Sequence, residues 1–110
     1  MPSLPNYLRI HRKQSSLSQE EVAFLLGVKG IDKGNKVSRD ENYSRIPTLE
    51  TALAYEAMYG KPIRELFAGL YEQIARDVSS RAKILSYRKK ETPDPKRQQL
   101  LSELSLRRQN

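Results

Sequence analysis

The sequence predicts an all-α fold. Three observations carry that prediction. Apolar residues recur at three- and four-residue steps along most of the chain. Capping residues and helix-ending glycines fall between those recurrences. No segment alternates apolar and polar residues in the two-residue period of a strand.

Leu4, Leu8 and His11 share a face of a first helix across Asn6 to Gln14, which Ser15-Ser16 ends. Ser18 then caps a second helix. Glu21, three residues on, completes a capping box, in which each side chain satisfies the other's backbone N–H. Within this helix Val22, Leu25 and Leu26 are expected on one inner side, and Ala23 is small where two helices approach closely. Gly27 suits the left-handed position that closes a helix. Residues 29–36 contain two glycines and predict a loop. A third helix is expected from Gly34 or Asn35 to Tyr43.

Thr48 caps a fourth helix, Leu49 to Tyr59. Its expected buried stripe is Leu49, Ala52, Leu53 and Glu56 or Ala57, and Gly60 stops it. Pro62 suits the first turn of a fifth helix, where its missing N–H costs nothing. This helix is expected to be the longest, with Ile63, Leu66, Phe67, Leu70, Tyr71, Ile74, Val78, Ala82 and Leu85 on its stripe. Thr92-Pro93-Asp94-Pro95 breaks the chain. Asp94 and Pro95 then open a last helix with Leu100, Leu101 and Leu104, and Arg107 to Asn110 is expected to fray.

The chain has 110 residues, enough for one modest core. It contains no cysteine, which excludes disulfides and thiolate chemistry and fits a reducing cytosol, so a cytoplasmic location is expected. No apolar run is long enough to span a bilayer. Met1-Pro2-Ser3-Leu4-Pro5 lacks the basic and apolar regions of a signal peptide. The net charge of +7 and pI of about 9.8 favour anionic partners, nucleic acid first. Residues 1–60 hold eight basic and seven acidic side chains, however, against twelve and six in residues 61–110. The excess lies in the C-terminal half, where a solvated basic helix accounts for it equally well.

His11 is the only histidine, and no His/Asp/Glu set has metal-ligand spacing. No glycine-rich phosphate loop, Ser/His/Asp set or paired carboxylates stand out, so neither enzyme activity nor a cofactor or metal is expected. What does stand out is Ser18 to Val28, a short capped helix and glycine turn, followed by a short polar helix around Val37-Ser38-Arg39-Asp40-Glu41. Helix, turn, helix at this size is a device for laying one helix in the major groove of DNA.

Those residues resemble the phage repressor and Cro-type (XRE-like) helix-turn-helix family of bacterial transcription regulators. The resemblance lies in Leu8-Arg9, Arg12, Leu17 to Ala23 and Leu26-Gly27-Val28. It continues through Val37-Ser38-Arg39, Glu41, Pro47 to Thr51 and Ile63 to Phe67. It covers roughly residues 6 to 68 and implies a five-helix repressor-like bundle over 1–68. Residues 69–110 then form a C-terminal extension, with a long helix and helical tail, for dimerisation or interaction. By the resemblance, Gln19 touches a phosphate and Val37 anchors the groove helix of about residues 35–43. Gly34, Asn35, Lys36, Ser38 and Arg39 lie at or beside the base-reading positions, and Arg12 pairs with Glu41. The turn between Val28 and Val37, eight residues, is longer than the family's. Asp40 stands where an apolar or aromatic residue is usual, and Tyr43 where glycine is usual. At the DNA surface Asp40 would repel phosphate.

Chemistry gives each candidate two readings. Arg39 could bind guanine O6 and N7 bidentately, or pair with Asp40 or Glu41; buried Val37 would turn it away from the core. Asn35 could read adenine, or cap the third helix. Lys29, Lys33 and Lys36 suit phosphates or plain solvation. Ser44 and Arg45 follow the third helix, where backbone contacts are common. The stripe Phe67, Leu70, Ile74, Val78 and Leu85 is expected to form a homodimer seam, with Tyr71 and Tyr87 at the interface. The alternative is packing on helices one and four and on the last helix. The competing functional reading is a protein-interaction module, antitoxin-like, that uses the helix-turn-helix as a scaffold and binds a protein partner through the C-terminal helices. A third is non-specific nucleic-acid binding through the basic region 81–108.

Overall fold

The computed structural model describes residues 5–30, 33–88 and 94–107, with Lys33 and Arg107 described by backbone alone. The expectations for Leu4, for Thr92-Pro93 and for the ending Arg108 to Asn110 lie outside these residues. The described residues form seven helices and no strand: α1 (Leu8–Gln14), α2 (Gln19–Leu25), α3 (Lys33–Glu41), α4 (Leu49–Tyr59), α5 (Ile63–Leu66), α6 (Ala68–Ser86) and α7 (Pro95–Arg107). No described helix is long and apolar enough to cross a membrane. The chain divides into two compact units, one ending at Leu70 and one beginning at Tyr71.

In the first unit the helix ends follow local chemistry. Ser18 Oγ accepts the Glu21 N–H at 3.0 Å, and Glu21 Oε1 accepts the Ser18 N–H at 2.8 Å, completing the predicted capping box. Thr48 Oγ1 accepts from Thr51 N–H, and Gly60 ends α4 in the left-handed region at φ +67°. The core gathers Leu8, Val22, Ala23, Val37, Ala52, Tyr55, Leu66 and Phe67. α3 packs chiefly on α2, and α1 touches both α3 and α4. The segment ahead of α1 is tied down: Tyr7 N–H donates to Leu66 O at 2.8 Å, and Asn6 Nδ2 donates to Asp40 O at 2.9 Å.

Several expectations are corrected. α3 begins at Lys33, so residues 33–36 are helix rather than loop, and Asn35 lies inside the helix instead of capping it. The inward face of α4 is Ala52 and Tyr55, while Leu49 and Leu53 are exposed. The helix rotates this way because Tyr55 has a buried partner, described below. In α2, Val22 and Ala23 are buried and Leu25 is exposed. The predicted fifth helix is two helices, α5 and α6, broken at Phe67, where φ is −117° and ψ 46°. A close approach accompanies the break: a Cβ on Gly69 would lie 2.8 Å from the Pro5 carbonyl oxygen. The long stripe therefore divides. Phe67 is buried and Leu70 packs on the core of the first unit, whereas Ile74, Val78 and Leu85 are exposed.

The second unit pairs the remainder of α6 with α7. Asp94 opens α7, its Oδ1 accepting from Lys96 N–H and its carbonyl from Gln98 N–H. Ser79, Ala82 and Leu101 are buried, and Arg97 Nη2 donates to Leu85 O at 3.3 Å. Leu104 is half-buried and Leu100 exposed.

Candidate nucleic-acid interface

The candidate site is α3, whose nine residues make a rod about 13 Å long. Its inward positions are Val37, Asp40 and Glu41, spaced three and four apart, and all three are buried. The helical period then turns Asn35 and Arg39 outward, with Lys36 and Ser38 half-buried at the margins. Gly34 is half-buried against the start of α2, where a Cβ would sit 3.7 Å from Glu20 Cγ.

Both acids of α3 are held inside. Glu41 joins three helices. Arg12 of α1 donates to it twice, Nε to Oε2 at 2.6 Å and Nη2 to Oε1 at 3.2 Å, and Gln19 of α2 donates Nε2–H to Oε1 at 3.2 Å. Arg12 also donates to Leu17 O at 3.0 Å. The hydrogen bond to Glu41 raises the Arg12 pKa against the opposing cost of burial. The expected Arg12–Glu41 pair is thus present. The Gln19 amide, expected on a phosphate, has an internal acceptor.

Asp40 is fully buried, at the place where an apolar or aromatic residue is usual, and so is not at the surface where it would repel phosphate. Its Oδ2 accepts the Tyr55 hydroxyl at 2.9 Å. Arg45 Nε lies 2.9 Å from Oδ1, but the N–H is not aimed at that oxygen, which has charge contact without a hydrogen bond. Burial raises the Asp40 pKa, although Tyr55 and then Arg45 work in the other direction. Burial and the neighbouring Asp40 charge push the Tyr55 hydroxyl upward. Tyr59 stacks between His11 and Tyr55, with ring centroids 5.8 and 6.1 Å away. Its buried hydroxyl makes no hydrogen bond among the described residues, and burial followed by the Glu41 charge pushes its pKa up to about 12.

The predicted residues therefore divide by role. Arg39 makes no ion pair among the described residues; the partners once open to it, Asp40 and Glu41, are taken by Arg45 and Arg12. Lys36 likewise makes no ion pair there, and Lys29 is exposed at the end of the turn after α2. Arg45 is first the counter-ion of Asp40, with about a third of its side chain exposed. Tyr43 occupies the left-handed region at φ +68°, which explains why glycine would suit that place. Sequence reasoning missed Tyr55. The available signal was an acid at an anchor position together with a tyrosine one turn from Ala52.

The outward face offers the Arg39 guanidinium, the Lys36 ammonium, the Asn35 amide and the Ser38 hydroxyl, a set rich in donors for base edges and phosphates. Among the described residues no group of acidic or histidine side chains could hold a metal ion. No protein family, curated protein or solved structure matches this chain.

Proposed function

We propose that this chain is a repressor-like, helix-turn-helix reader of double-stranded DNA that acts in transcription regulation, with α3 in the major groove and two copies engaging paired half-sites. One observation supports it above the others: both acids of α3 are buried and paired, so the outward face of a near-neutral segment is cationic. A helix 10–12 Å across fits a groove about 12 Å wide. In this reading Arg39 reads guanine, Asn35 and Ser38 contact adjacent base edges or sugar, and Lys36 and Lys29 meet phosphates. Gln19 and Arg45 chiefly position α3. The competing protein-interaction reading draws on the exposed Ile46, Leu49 and Leu53.

The test is an equilibrium titration of duplexes selected from a random pool against scrambled duplex, at two salt concentrations. Arg39→Ala should lose about 1–3 kcal/mol, roughly 5- to 160-fold, on the selected duplex and relax preference at one base pair. Equal, salt-sensitive binding to both duplexes would reduce the interaction to electrostatics alone and defeat the proposal.

A further inference from the structure

We infer that the second unit is an interface for a second copy of this chain, with the two α6 helices crossing antiparallel near Val78. This deepens the pairing in the proposed function, but it stands on features of α6 and α7 alone. Among the described residues the unit's own core is Ser79, Ala82 and Leu101, one of them polar and one a single methyl group. Two helices that bury so little between them need a further surface.

That surface is present. Tyr71, Ile74, Val78 and Leu85 run along one flank of α6 and are 43%, 51%, 41% and 38% exposed. The opposite flank borders an open hollow of mixed character, formed by Lys83, Ser86 and Tyr87 with Gln98, Ser102, Ser105 and Leu106. On the apolar side, Arg97 reaches the Leu85 carbonyl, and Leu100, one turn further along α7, is 52% exposed. The strip from residue 71 to residue 85 is about 21 Å long. Across two helices it covers roughly 400–500 Å² per copy, so pairing reaches the order of 1,000 Å² that marks a specific interface.

Two features select a second copy as the occupant. The ends of the strip lie evenly about Val78, with Tyr71 seven residues before it and Leu85 seven after, so a two-fold axis there sets Tyr71 of one copy against Leu85 of the other. The charges also run along α6. Glu72, Arg76 and Asp77 lie before Val78, while Arg81, Lys83 and Arg88 follow with no acid among them. Asp77 and Arg81 share one shoulder of the strip. Antiparallel crossing keeps this shoulder on the same side of both copies and brings Asp77 of each beside Arg81 of the other, whereas parallel crossing sends the two shoulders to opposite sides and forms neither pair.

Single-cysteine variants of the full chain test this without DNA, against a cysteine-free background. Wild type should sediment as a dimer at micromolar concentration. Val78→Cys should become a covalent dimer under mild oxidation. Tyr71→Cys should not, because seven residues on each side of the axis separate its two sulfurs by about 21 Å, and a disulfide needs Cα atoms within about 7 Å. Ile74→Glu with Val78→Glu should give a monomer of unchanged helicity. A wild-type monomer, a dimer in which Val78→Cys fails to cross-link, or equal cross-linking of Tyr71→Cys each overturns the inference. DNA binding by the monomeric double variant, weakened but still selective, would leave the groove-reading proposal standing on its own.

Discussion

Two tyrosines one turn apart on α4 should answer the same substitution with opposite signs. Tyr55 donates its hydroxyl to the buried Asp40 carboxylate at 2.9 Å, whereas the buried Tyr59 hydroxyl makes no hydrogen bond among the described residues. A hydrogen bond to a charged group contributes about 1.5–3 kcal/mol, and an unsatisfied buried polar group costs about 1–3 kcal/mol. Tyr55→Phe should therefore destabilise the first unit by about 2 kcal/mol at neutral pH, a fall in Tm of roughly 8–16 °C for a unit of this size. Tyr59→Phe should raise Tm. The effect of Tyr55→Phe should also depend on pH. Asp40 has a native pKa raised by burial, so the native state holds its proton more tightly than the unfolded chain does. Its contribution is most favourable below the unfolded value of about 3.9, declines as pH rises through the raised native value, and is constant beyond. Removing the Tyr55 hydroxyl raises the native value further and stretches that decline to higher pH. The loss should shrink to about 0.5–1.5 kcal/mol in acid, where the carboxyl is protonated and only a neutral hydrogen bond is missing. Circular dichroism melts of both variants across the acid range read all of this. A Tyr55→Phe Tm within about 2 °C of wild type at neutral pH, or equal shifts in the two variants, would refute the reasoning.

Three further outcomes follow from single contacts. Arg12→Ala strands the buried Glu41 carboxylate and should cost about 3–5 kcal/mol in urea unfolding, so any loss of DNA binding in this variant reports folding first. Gly69→Ala drives a Cβ to 2.8 Å from the Pro5 carbonyl and should cost about 1–3 kcal/mol by the same assay. Tyr43→Gly relieves a left-handed tyrosine at φ +68°, worth about 1–2 kcal/mol before the entropy of the added glycine is subtracted, and should leave Tm unchanged or higher.

The start of α2, both ends of α4 and the start of α7 were legible because their causes are local. Ser18 with Glu21, Thr48, Gly60 and Asp94 each act within a few residues, and each does what its neighbours predict. The outward turn of Arg39 was legible too, since it follows from Val37 being the anchor. What escaped is long-range. An aspartate in a polar helix reads as a surface residue, because acids are seldom fully buried. Only a tyrosine fifteen residues on and an arginine five residues on make Asp40 tolerable inside. That same tyrosine rotates α4 and displaces Leu49 and Leu53 from the expected stripe. The break at Phe67 is accompanied by a close approach of Gly69 to a distant backbone, that of Pro5, which no periodicity within residues 63–85 encodes. Gln19 and Arg45 were assigned by analogy as external contacts, and their internal bonds depend on where Glu41 and Asp40 fold.

The separation of the two faces of α3 has an evolutionary consequence. Val37, Asp40 and Glu41 are locked to α1, α2 and α4 by burial and hydrogen bonds, so drift at any one of them demands a matched change elsewhere. Lys36, Ser38 and Arg39 carry none of those side-chain bonds. Their identities are free to diverge at little cost to folding. A lineage carrying this scaffold could explore new outward surfaces one substitution at a time, without passing through unfolded intermediates.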